Sequence, residues 1–183
     1  MLPLQRERWL GPATPAEEEL LDRVLPPVLD VGCGPGRLVL ALAERGIVAL
    51  GVDAAPSAVG IARQRGAPVL RRSIFERVPG AGRWGTALLL DGNVGIGGHP
   101  EALLLRLRQL LRAAGRVLVE VEPPGAPTGR TWLRVENGSE TSPLFPWGRV
   151  GANRLNQLAH RTGFVTTELW SADVRWFGML ERR

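Results

Sequence analysis

Short apolar runs that alternate with helical segments predict an α/β chain with a mostly parallel sheet, covered by helices on both faces. The first apolar run, Val28 to Val31, ends in a glycine-rich turn followed at once by a helical pattern. The last two runs are separated by three residues, Ser171-Ala172-Asp173, a length that suits a hairpin and so an antiparallel pair.

Glu17 to Leu25 reads as the first helix. Thr14 is placed to cap it, Pro15 stands in its first turn and glutamates lie near its positive end. Pro26-Pro27 stops it ahead of the strand Val28 to Val31. Arg37 to Arg45 has helical spacing through Leu38, Ala41 and Leu42, and Gly46 ends it. A strand from Ile47 to Val52 closes on Asp53, and Ser57 is placed to cap a helix ending near Arg65. Pro68 to Arg71 and Thr86 to Leu90 are the third and fourth strands. Pro100 opens a helix reaching Arg112, with Leu103, Leu104, Leu107, Leu110 and Leu111 on one face. Arg116 to Val121 is a valine-rich strand. After Glu122 the texture changes to a turn-rich and then a polar, aromatic stretch as far as Trp147. A helix over Asn153 to Thr162 precedes two last strands, Phe164 to Trp170 and Val174 to Leu180.

The chain of 183 residues suits a single domain, with residues 1–25 as an N-terminal lid or helix and residues 123–150 as an insert. No apolar run approaches the ~18 residues that cross a bilayer, and the start lacks a signal-peptide core. A cytoplasmic protein without membrane contact is the expectation. One cysteine, Cys33, excludes an internal disulfide, and with two histidines no metal site is expected. All 23 basic residues are arginine, which rules out Schiff-base lysine chemistry and a phosphate-binding Walker lysine. The arginines are scattered rather than gathered in a stripe, which argues against a nucleic-acid partner.

Strand, glycine turn and helix together make a nucleotide-binding arrangement. Glycines at 32, 34 and 36 let backbone approach a ligand closely. Asp53 lies 21 residues after Gly32, at the end of the second strand, where a carboxylate accepts ribose hydroxyls. The dinucleotide fingerprint requires a third glycine three residues after the second, but position 37 is arginine. Asp30, ahead of the first glycine, repels a pyrophosphate and suits the ammonium of S-adenosylmethionine.

Asp30-Val31-Gly32-Cys33-Gly34-Pro35-Gly36 resembles the signature loop of class I S-adenosylmethionine-dependent methyltransferases, and the order of later elements is similar to that family's. The resemblance implies a Rossmann-like three-layer α/β/α sandwich, with a mostly parallel seven-stranded sheet and an antiparallel C-terminal hairpin. It implies S-adenosyl-L-methionine as the cofactor. Asp30, Gly32, Cys33 and Gly34 would line its methionine and ribose, Asp53 its ribose hydroxyls, and Ala54 the adenine. Ser73 and Ile74 would reach the adenine, with a hydroxyl at 73 where many members carry an acid. Asp91, ending the fourth strand, would face the methionine end and the methyl group.

His99, beside Pro100 at a helix start, and Asp91 are the candidates for a catalytic role, because a base is needed when the acceptor is a weak acid. Glu120 and Glu122 share one face at the end of the fifth strand. Phe145-Pro146-Trp147-Gly148-Arg149 offers an aromatic wall and a cation, so Trp147 and Arg149 are the substrate-binding candidates. The expected activity is in-line methyl transfer to a small-molecule acceptor, with the pocket built from the N-terminal segment, the glycine-rich stretch after Asp91 and residues 123–150. Two alternatives stand beside it: a non-catalytic binder of S-adenosylmethionine or S-adenosylhomocysteine, and a nicotinamide-dependent oxidoreductase. The sequence leaves the acceptor and the oligomeric state open.

Overall fold

A computed structural model describes residues 9–137 and 140–183; the first eight residues of the expected N-terminal lid lie outside the described residues. The elements in chain order are α1 (Pro15–Leu21), β1 (Val28–Val31), α2 (Arg37–Glu44), β2 (Ala49–Asp53), α3 (Pro56–Gln64), β3 (Val69–Arg71) and β4 (Trp84–Leu89). A 3₁₀ segment (Asn93–Gly98) leads to α4 (Pro100–Leu110) and β5 (Leu111–Val121). Then come β6 (Gly129–Leu133), β7 (Glu136–Asn137), β8 (Glu140–Thr141), β9 (Phe145–Arg149), α5 (Ala152–Arg161), β10 (Phe164–Ala172) and β11 (Arg175–Arg182).

Seven strands form one sheet in the order β10-β11-β5-β4-β1-β2-β3. The pairs β1–β2, β1–β4, β2–β3 and β4–β5 are parallel, whereas β11 runs antiparallel to both β5 and β10. The seven-stranded α/β architecture with an antiparallel terminal hairpin is therefore as expected. Alternation along the central strands divides the core in two, because successive side chains point to opposite faces. Leu29, Ala87, Leu89, Val117 and Val119 pack with Leu103, Leu104 and Leu107 of α4 and Leu155 of α5. Val28, Leu88, Leu90 and Leu118 pack on the other face with Leu20 and Leu21 of α1 and Leu38 and Leu42 of α2. The result is three layers.

Several boundaries differ from the sequence reading. α1 stops at Leu21, four residues early, since Asp22 already takes the C-cap position. Ala55, not Ser57, is the N-cap of α3, and Pro56 fills its first turn. β5 starts at Leu111 rather than Arg116, and the last hairpin turns on Asp173-Val174 alone. Residues 123–150 hold two small antiparallel pairs, β6–β9 and β7–β8, that the sequence reading left without strands. β9 contains Pro146 and Gly148, and β6 begins on Gly129, so neither shows a strand's apolar alternation. Among the described residues no helix is long and apolar enough to cross a membrane.

Candidate cofactor site

Five neighbouring strands deliver charged side chains to one edge of the sheet. In spatial order they are Asp53 ending β2, Asp30 in β1, Asp91 after β4, Glu120 in β5 and Arg175 opening the antiparallel β11. The carboxyl edge of a parallel sheet is where open α/β folds take their ligands.

The glycine loop lies over β1. Gly32, Gly34 and Gly36 all have positive φ (73°, 54° and 79°), and Gly36 starts α2 from the left-handed region. A Cβ at Gly36 would come within 2.7 Å of Ala67 Cβ and 3.2 Å of Ala62 Cβ, so this glycine lets the start of α2 approach α3 and the turn after it. At Gly34 a Cβ would meet nothing within 4 Å, leaving open space over the loop. Asp53 fixes this stretch: its Oδ2 accepts from Gly34 N at 2.8 Å and its Oδ1 from Ala55 N at 2.8 Å. Asn93, from the turn after β4, donates through Nδ2 to the carbonyls of Val31 and Gly32, both at 2.9 Å.

Asp30 is 3% exposed, and no described residue donates a hydrogen bond to its carboxylate. Burial, together with the charges of Asp91 and Asp53 and against the pull of Arg37, pushes its pKa up to about 7. A buried carboxylate without a donor is costly unless a cation or a proton joins it.

Beside it lies a dense ionic network. Arg37 Nη1 and Nη2 both donate to Glu17, and Nη2 also reaches Asp91 Oδ2 at 3.2 Å. Arg175 grips Glu120 with two bonds of 2.8 and 2.7 Å, touches Glu17 at 2.9 Å and stands 3.5 Å from Asp91 Oδ1. Glu120 also accepts the Asp91 backbone N–H at 2.6 Å. Asp91 itself sits at φ 54°, a left-handed conformation that short polar side chains tolerate best. Burial alone would raise the Glu17 pKa, but bonds from Arg37, Thr14 N and Arg175 hold it down at about 2.

The other predicted residues fall as follows. Cys33 turns its side chain inward, where a Cβ at Gly51 would lie 2.5 Å from Sγ, and burial pushes its thiol pKa up. The thiol donates to the Gly34 carbonyl at 3.8 Å, and a raised pKa keeps it protonated rather than as a reactive thiolate. Ile74 is buried in the core, so its backbone alone can meet a ligand. Ala54 is exposed beside Asp53, and Ser73 is half-buried, its Oγ accepting from Phe75 N at 3.3 Å. His99 is exposed at the head of α4. Arg149 pairs with Glu122, donating from Nε at 2.6 Å, and Trp147 packs on the turn after β4. Glu17, Arg37, Asn93 and Arg175 were not among the predicted site residues. The Thr14-x-x-Glu17 capping box was a signal that pointed at Glu17, since Glu17 Oε2 accepts Thr14 N at 2.8 Å.

Residues 28–79 match the methyltransferase domain family. A methyltransferase of Bacteroides fragilis, solved with S-adenosylhomocysteine, superposes with a TM-score of 0.80 at 23% identity, over 98% of this chain and 81% of that one. The chain has the fold of these methyltransferases, and the segment that carries β1, the glycine loop and β2 is similar to the methyltransferase domain family. The sugar N-methyltransferase KedS8 of Streptoalloteichus sp. matches with a TM-score of 0.71 at 17% identity, over 97% of this chain and 90% of that one. The Burkholderia thailandensis 1,6-didemethyltoxoflavin N1-methyltransferase matches with a TM-score of 0.62 at 20% identity, over 85% and 70%. In this methyltransferase fold the loop over β1, the carboxylates of β1 and β2, and the turn after β4 all meet at one place.

Proposed function

We propose that this chain transfers a methyl group from S-adenosylmethionine to a small-molecule acceptor. The observation that carries the reading is Asp30: a buried carboxylate without a donor, at the end of β1 and behind a loop whose middle glycine is open. An ammonium is the partner that such a site wants. A pyrophosphate would meet the charges of Asp30 and Asp53 instead, which disfavours a nicotinamide dinucleotide.

Bound there, S-adenosylmethionine would supply a methyl group already activated on sulfur, so the chain's task is positioning and exclusion of water. Asp30 would hold the ammonium, Asp53 the ribose hydroxyls, and the backbone of Gly32 to Gly34 would line the methionine. Ala54, Ser73 and the backbone of Ile74 stand on the adenine side. Asp91 is fixed at the acceptor side by Arg37, Arg175 and Glu120. There it can orient an acceptor N–H or O–H and receive the proton released on methylation. Trp147 and Arg149 belong to the same side through the turn that Trp147 covers.

Titration calorimetry with S-adenosylmethionine, S-adenosylhomocysteine and NAD tests the reading. Binding of the first two and not of NAD is the expected result, and binding of NAD alone overturns it. Binding without turnover across a broad acceptor panel favours a sensor that only holds the cofactor.

A further inference from the structure

We propose that Asn93 is a positioning residue for the glycine loop, and that Trp147 holds the turn that carries it. The inference rests on the reading of that loop as the S-adenosylmethionine site. Three left-handed glycines at alternate positions, 32, 34 and 36, make a loose loop, and a loose loop charges its ordering entropy to binding. Two side chains pin it, from either side of β1. Asp53 from β2 holds the N–H of Gly34, and Asn93 from the turn after β4 holds the carbonyls of Val31 and Gly32. The two carbonyls require the amide nitrogen, not the oxygen, to face the loop. The contact is close: a Cβ at Gly32 would lie 2.6 Å from Asn93 Nδ2 and 2.9 Å from Ile96 Cδ1.

The turn bearing Asn93 and Ile96 is itself clamped from outside. A Cβ at Gly95 would collide with the Trp147 indole and the Gly148 carbonyl. A Cβ at Gly98 would lie 2.7 Å from Pro146 Cβ, and one at Gly148 would lie 2.5 Å from the Pro100 ring. The β6–β9 arm thus presses on the turn, and the turn reaches the cofactor loop through Asn93. An acceptor that moves the arm changes how firmly the cofactor is held.

The test is calorimetry with S-adenosylmethionine and S-adenosylhomocysteine at a temperature where circular dichroism shows each variant folded. Asn93→Ala removes the side chain, whereas Asn93→Leu keeps its branched shape and donates nothing. Both should weaken binding roughly tenfold, the scale of one to two net hydrogen bonds. Trp147→Ala, or the milder Trp147→Phe, should weaken it in the same direction, and the pair with Asn93→Ala should be no weaker than the worse single change. Unchanged affinity in Asn93→Leu overturns the positioning role, leaving only packing. Tighter binding in either Asn93 variant overturns it too, because the amide would then be competing for the cofactor's place. Additive effects overturn the link to Trp147. An unaltered chain that binds neither compound sinks the functional reading itself, a result distinct from normal binding with indifferent variants.

Discussion

Asp30 carries two opposed consequences in one side chain. Its ionised form is costly in the folded protein without ligand, yet that charge is what an ammonium needs. Asp30→Asn removes the buried charge and keeps the shape. The variant should be more stable than the parent at pH 8 in urea unfolding. It should also bind S-adenosylmethionine more weakly by about 1.5–3 kcal/mol, the range for a hydrogen bond to a charged group. A variant that loses stability, or binds as before, removes Asp30 from this role. Asp53→Ala should cost about 1–3 kcal/mol of binding as well, because its carboxylate is lost together with the bond that fixes Gly34. Asp30 and Asp53 were legible in the sequence because each stands at a fixed offset from the glycines of one local motif. Arg37 showed only as the residue that breaks the dinucleotide pattern. Arg175 was not legible at all: it meets Glu17 across 158 positions, and no periodicity links a hairpin start to the first helix.

The first helix shows how one element ties the fold to the site. Its capping box makes Glu17 both an N-terminal cap and the acceptor of Arg37 and Arg175. Thr14→Ala removes one half of the box and should cost about 1 kcal/mol, read as a lower urea midpoint at unchanged slope. An unchanged midpoint would mean that the arginines alone set this helix end. The central strands were predictable because burial on both faces makes them mostly apolar runs, interrupted only by Asp30 in Val28–Val31 and by Thr86 in Trp84–Leu89. The arm strands were not. β6 and β9 pair outside the main sheet, are only partly buried and contain Gly129, Pro146 and Gly148, so their pairing is decided by the turn they cover. Gly95 and Gly98 record that close approach, although in the sequence they read only as a glycine-rich connection.

Across the whole molecule, Glu17 and Asp30 pull stability in opposite directions with pH. Glu17 has its folded pKa depressed from 4.5 to about 2, so its contribution is present above the unfolded value and is lost as pH falls toward 2. Asp30 has its folded pKa raised from 3.8 to about 7, so the folded state binds the extra proton between these values. Its contribution is full below 3.8 and disappears as pH rises through 7. The limbs are worth roughly 3 to 4 kcal/mol, at about 1.4 kcal/mol per pKa unit, the Asp30 limb being the larger. Without ligand, the urea midpoint should therefore climb from pH 2 to a maximum near 4.5 and decline toward 7. Saturating S-adenosylmethionine supplies the cation that ionised Asp30 lacks, so the decline should flatten or reverse while the acid limb stays. That reversal requires proton release on binding below pH 7, which calorimetry in buffers of different ionisation heat reads directly. A ligand-free profile that is level from pH 4.5 to 7, or a decline that saturation leaves intact, would show that Asp30 is not where the cofactor's positive charge is met.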